Sequence, residues 1–225
     1  MLRYFIKILF LCIAVGSFAQ EQKLPKREVF IRSGVDLSRF ILPYMNDITV
    51  SGFELSVDAE IKYNFFPIVE FGMNTIEDNT ELHNYTAEGS YWRVGLNYNM
   101  LKYQHRLDQN IFFIGARYAR SLYWQQSSNI TFENEWGVST TDLSKSNLNL
   151  TWVEAVIGIR GELFKNIFLG YTIRVKAKIS SSDDDNITPY FIPGYGSAIK
   201  NIRTGMSFTA SYAIPIIRIK DNKNK

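Results

Sequence analysis

From Gly52 to Phe65 the chain reads GFELSVDAEIKYNF. Phe53, Leu55, Val57, Ala59, Ile61 and Tyr63 are apolar or aromatic, and Glu54, Ser56, Asp58, Glu60 and Lys62 stand between them. A period of two sends alternate side chains to opposite faces of a β-strand. One face of this strand is apolar and the other carries four charges. The pattern recurs in EVFIRSGVDLS, IVEFGMNT, SYWRVGLNYNM, NIFFIGARYARSLYW, TWVEAVIGIRGEL, IFLGYTIRVKAKIS and IRTGMSFTASYAI, which brings the expected strand count to eight. In NIFFIGARYARSLYW, Phe113 shares the face of Gly115, Arg117 and Ser121 and fits that polar face less well. No segment has a convincing helical period.

The connections differ in length. Residues 41–51, 76–89, 126–147 and 181–201 are long and polar. Those at Phe65 to Pro67 and Phe164 to Asn166 are short, and Leu101 to Gln109 is intermediate. This alternation predicts a closed antiparallel transmembrane β-barrel, with long loops outside and short turns in the periplasm. Lipid offers no partner for backbone polar groups, so such a sheet must close. The apolar faces then meet lipid and the charged faces meet the lumen. Tyr63, Phe65, Phe66, Trp92, Tyr98, Tyr103, Trp124, Tyr171 and Tyr212 lie near strand ends and suit interfacial girdles. A soluble, secreted, lipocalin-like cup with the faces reversed has the same alternation. The aromatic strand ends, the mixed polar face and the two-sided loop lengths favour the membrane barrel.

The N-terminus fits export. Arg3 and Lys7 precede a short apolar core from Ile8 to Val15, and Ser17-Phe18-Ala19 sets small residues before a cut ahead of Gln20. The apolar run is too short to span a bilayer, so an uncleaved anchor is the minor alternative. Leu11 before Cys12 argues against a lipoprotein signal. Removing residues 1–19 removes Cys12, the only cysteine, and with it any disulfide or thiolate metal site. The formal charge of +3 falls to +1 as Arg3 and Lys7 leave. No basic stripe stands out, so nucleic acid is not an expected partner. The expected organisation is a signal peptide over 1–19, a periplasmic segment over 20–27, the barrel over 28–219 and a disordered Lys-rich tail over 220–225.

By parity the lumen collects Asp36, Glu54, Asp58, Glu60, Glu70, Glu154 and Glu162 with Arg32, Lys62, Arg93, Arg117, Arg160, Arg174, Lys176, Lys178 and Arg203. An eight-stranded barrel is just wide enough inside for side chains. Charges confined there must pair, so a filled, sealed lumen is expected over a pore. His83 and His105 fall in connections, and no G-x-S-x-G elbow accompanies them. SSSDDDN, Ser180 to Asn186, has no calcium-loop spacing and reads as a solvated acidic tip. No catalytic residue, metal site or cofactor is expected. Tyr190, Phe191 and Tyr195, in the apolar stretch YFIPGY, read most simply as packing within their own loop, with folding over the barrel mouth or contact with a partner as the alternatives. GMSFTASY is a loose version of a terminal barrel-assembly signal, and Pro215 should weaken pairing after it.

The segments GVDLSR, NYTAEGSYWRVGLNYN, IFFIGARYA, WVEAVIGIRGE, NIFLGYTIRVK and FIPGYG are spread along nearly the whole mature chain. Through them the chain resembles an outer-membrane β-barrel family of Bacteroidota, domain-of-unknown-function family 6048. The resemblance implies a Gram-negative cell envelope and supplies no catalytic residues. The expected function is a small sealed barrel whose surface loops serve structural or interaction roles. Its expected partners are outer-membrane lipid and lipopolysaccharide, the barrel assembly machinery during insertion and an unidentified loop partner, with the chain itself a monomer. A narrow porin-like channel for ions or small solutes and a membrane-embedded lipid-modifying enzyme are the alternatives.

Overall fold

The computed structural model describes residues 29–38, 49–61, 64–79, 84–101, 109–134, 137–182 and 189–217. Eight strands close into one barrel: β1 (Val29–Asp36), β2 (Thr49–Ala59), β3 (Phe65–Asn79), β4 (Asn84–Asn99), β5 (Ile111–Asn134), β6 (Gly137–Phe164), β7 (Ile167–Ser181) and β10 (Ile202–Ile217). Each pairs antiparallel with its sequence neighbour, and β1 closes the ring against β10. Between β7 and β10 a small hairpin forms, β8 (Phe191–Ile192) with β9 (Gly196–Ser197). No helix among the described residues is long and apolar enough to cross a membrane, which says nothing of strands.

The alternation resolves as a barrel turned inside out relative to a soluble one. Along β2, Phe53, Leu55 and Val57 are exposed while Glu54 and Asp58 are buried. Along β4, Trp92, Val94, Leu96 and Tyr98 face out while Arg93, Asn97 and Asn99 face in. β5, β6, β7 and β10 behave alike, with Ile114, Ile157, Ile173 and Phe208 outside.

Two expected loops are instead mostly strand. Residues 76–79 and 84–89 extend β3 and β4, paired from Ile76↔Ala87 to Asn79↔Asn84. Residues 126–134 and 137–147 extend β5 and β6 to Asn134↔Gly137, with register shifts after Gln125 and Ser127. Ladder bonds form in water as well as in lipid, so polar residues beyond the apolar band continue the strands. β4 last pairs with β5 at Asn84↔Ser128, and β7 last pairs with β6 at Leu150↔Ser181. Above these rows β5 and β6 run on as a two-stranded ribbon. From Ser128 to Asn134 it rises about 20 Å at ~3.3 Å per residue.

Three smaller expectations also change. Phe66 belongs to β3 and takes its inward parity, so it is buried in the lumen and not part of a girdle. Glu162 is exposed at the rim, where the β6 register shifts between Glu162 and Phe164. Its carboxylate accepts the Asn166 N–H at 2.8 Å, and its own N–H donates to Asn110 Oδ1 at 2.9 Å. At Pro215 pairing with β1 persists to Val29↔Ile217, through a register shift between Val29 and Phe30. The expected signal segment with Cys12, Lys62, Tyr63, His83, Tyr103, His105, the carboxylates 183–185 and the expected tail lie outside the described residues.

Candidate functional site

The middle of the lumen is an ion-paired belt. β2, β3 and β6 contribute Glu54, Glu70 and Glu154, and β4, β5 and β7 contribute Arg93, Arg117 and Arg174. All six are buried. Arg174 donates through Nη1 to Glu70 Oε2 at 2.8 Å and through Nη2 to Glu70 Oε1 at 3.3 Å. It also reaches Glu54 and Glu154, each at 3.4 Å, and Ser207 Oγ of β10 at 3.1 Å. Arg93 lies 2.8 Å from Glu54, 3.2 Å from Glu70 and 3.0 Å from Glu154. Arg117 is more distant, with Nε 3.7 Å from Glu70 Oε1, and it donates to the Ala116 carbonyl at 3.1 Å.

Three carboxylates thus face three guanidiniums across the barrel axis. Desolvating these charges is costly, and multiple short contacts of opposite sign are what make their burial tolerable. The belt ties seven of the eight barrel strands into one lateral unit. Two aromatic residues complete it. The Tyr91 hydroxyl donates to Glu54 at 2.6 Å, and the Trp152 indole N–H donates to Glu154 at 2.7 Å. The Arg93 guanidinium also lies 4.6 Å from the Tyr91 ring centroid. Sequence reasoning missed both residues, although each lies two positions from a belt charge and shares its inward parity.

At the turn end, Arg32 of β1 and Arg160 of β6 converge on Asp58 of β2, at 2.8 and 2.6 Å. Their guanidiniums lie 4.8 and 5.5 Å from the Phe66 centroid. Phe66 packs with Ile111, Phe113 and Val156 as an apolar floor. This accounts for an aromatic Phe113 on the otherwise polar inward face. Glu60 is buried near this end. Asp36 is buried on β1 and accepts both the N–H and the hydroxyl of Ser38, at 2.9 and 2.7 Å. A residual cavity of about 40 Å³ lies among Asp36, Asp58, Asn97, Arg117 and Thr209, room for a few water molecules only.

The other end is closed by chain from the long connection. Tyr91, Tyr123, Leu148, Leu150 and Trp152 line an apolar cup, and Ile192 and Tyr195 of the β8–β9 segment fill it. The rings of Trp152 and Tyr195 meet edge to face at 5.7 Å. Gly194 has φ +77, and a Cβ there would fall on the Tyr91 ring. Its carbonyl accepts from Arg93 at 3.2 Å and from Lys176 Nζ at 2.7 Å, and Lys176 also reaches the Tyr195 carbonyl at 3.1 Å. The Tyr195 hydroxyl points between the Lys200 and Asn201 carbonyls, at 3.0 and 2.8 Å. Burial raises its pKa above the ordinary 10.0.

Of the remaining sequence candidates, Arg203 is half-buried and donates to the Ser197 carbonyl at 2.9 Å, so it holds the hairpin and not the belt. Lys178 is half-buried at the rim, where its backbone N–H donates to the Asn201 carbonyl at 2.9 Å. Tyr190 is exposed, Phe191 is half-buried, and Tyr195 is buried where no surface partner reaches it. Among the described residues, no group of three His, Cys, Asp or Glu side chains is placed to hold a metal ion.

A family described as Domain of unknown function (DUF6048) matches residues 1–219. No curated protein matches the chain. Solved structures that match include the crystal structure of Ail, the attachment invasion locus protein of Yersinia pestis, in complex with the heparin analogue sucrose octasulfate. It is 10% identical, with a TM-score of 0.37, covering 84% of this chain and 100% of that one.

Proposed function

The chain belongs to the DUF6048 family, and we propose that it is a small outer-membrane β-barrel with a sealed lumen, acting as a structural anchor that displays the β5–β6 ribbon at the cell surface. The observation that carries this reading is the inversion of the barrel: a buried, ion-paired interior inside a wall whose outward face is apolar. An apolar surface that encircles the sheet is stable in lipid and a liability in water. The polar ribbon and the hairpin-closed mouth lie at the end away from the short turns, the side that faces outward in barrels of this kind. Export through the N-terminal segment places the chain in a Gram-negative envelope, with the assembly machinery as its transient partner. The reading involves no catalytic step, and the ribbon is where a surface partner would be sought.

Single-tryptophan variants reconstituted in vesicles with brominated acyl chains test the orientation. Trp92 faces outward and Trp152 is buried within the lumen. Strong quenching of Trp92 with Trp152 spared is expected. Quenching of neither would contradict a lipid-facing wall.

A further inference from the structure

A cavity of about 250 Å³ lies beside the hairpin at the barrel mouth. Its lining crosses the wall. Lys176 and Asn74 are inward and buried, whereas Thr204 and Met206 are on the outward face of β10. Ser38 and Gly196 complete the polar side. A Cβ on Gly196 would meet nothing within 4 Å, and one on Gly205 would meet only the Lys176 side chain, at 3.3 Å. The side chain absent at Gly205 leaves space beside the ammonium, and Gly196 borders open space.

No carboxylate is among the described lining residues, so the one charge bordering this space is positive. Its outward rim is formed by Thr204 and Met206, within the exposed run that includes Ile202, Met206 and Phe208. Lys176 is three residues below Ile179, the last exposed apolar side chain of β7 in the described chain. Charge and access thus coincide near the edge of the apolar band, where lipid headgroups sit.

We infer that this cavity is a lateral binding site for the anionic headgroup of a membrane lipid. The phosphate would lie against Lys176, with the Asn74 amide as a polar neighbour, and the acyl chains would run along Met206 and Phe208. The inference rests on the outer-membrane reading above and adds a defined site to it.

The test is native mass spectrometry of the full chain released from nanodiscs containing equal phosphatidylglycerol and phosphatidylcholine. Co-elution with the disc reads membrane insertion, and the retained lipid reads the site. The wild type should hold one phosphatidylglycerol in preference to phosphatidylcholine. Lys176→Gln should reduce that retention about tenfold or more, the worth of one charge-assisted hydrogen bond. Thr204→Trp fills the outward side, leaves every charge in place and should reduce retention equally. Unselective retention, or retention unchanged in both variants of an inserted barrel, would overturn the site. Displacement of the lipid by water-soluble glycerol phosphate at equal concentration would overturn the lipid assignment and leave a free-anion site. A chain that fails to enter the disc would instead contradict the membrane reading itself.

Discussion

The belt and the mouth close the same barrel by different means. In the belt, side chains on fixed strands meet as three carboxylates and three guanidiniums. At the mouth, the wall supplies an aromatic cup and the chain returns a folded segment to fill it. The belt is held by charge at high desolvation cost. Losing one member strands the others, because a buried charge without its partner is strongly unfavourable. The mouth is held mainly by apolar packing and by bonds from Arg93, Lys176 and Arg203 to backbone carbonyls. Undocking the hairpin would take the carbonyl partners from Lys176 and Arg203 but leave the carboxylate–guanidinium pairs of the belt in place. The difference makes the belt part of global stability and the mouth a local unit.

The largest expected effect comes from Glu70→Ala. Glu70 faces Arg93, Arg117 and Arg174, so its removal should lower the unfolding free energy by about 3–5 kcal/mol, read by urea unfolding in lipid vesicles. A loss below about 1 kcal/mol, the scale of an exposed pair, would mean that the belt does not act as a unit.

Gly194→Val should act on the mouth instead. The left-handed backbone strain costs about 1–3 kcal/mol, and the added side chain meets Tyr91. The hairpin should become cleavable by added protease and the Trp152 emission should shift to the red, while the heat-dependent gel mobility of the barrel persists. Loss of that mobility would merge the two regions into one cooperative unit.

The smallest effect concerns pH. The Tyr195 phenol is raised above its ordinary value of 10.0 by burial, so docking favours its neutral form. That stabilisation is fully present below the ordinary value and is lost as the pH climbs through the raised one. A single-Trp variant keeping Trp152 should report hairpin release only at alkaline pH, and Tyr195→Phe should remove that step. Identical titrations would detach the phenol from docking.

These regions were not equally legible in the sequence. The belt follows from parity alone. Once Phe53, Leu55 and Val57 face outward, Glu54 must face inward, and the same holds around the ring. Tyr91 and Trp152 share that parity, and only attention to charge hid them. Phe66 was obscured because the start of β3 decides its side, and Glu162 because a register shift ends the alternation. The extensions of β3 to β6 look like loops because strands in water need no apolar face. The apolar character of YFIPGY allowed folding over the mouth among its readings, but local reasoning could not choose it, because the cup that receives it is assembled from strands far away in the chain.

The central claim is that belt and hairpin together seal the lumen. Single-channel recording of the folded wild-type barrel in a planar bilayer tests it most directly. The account predicts a silent membrane, with insertion verified on the same sample by heat-dependent gel mobility. Steady discrete current steps whose ion selectivity changes in Arg174→Gln would contradict it, because ions would then be passing through the belt.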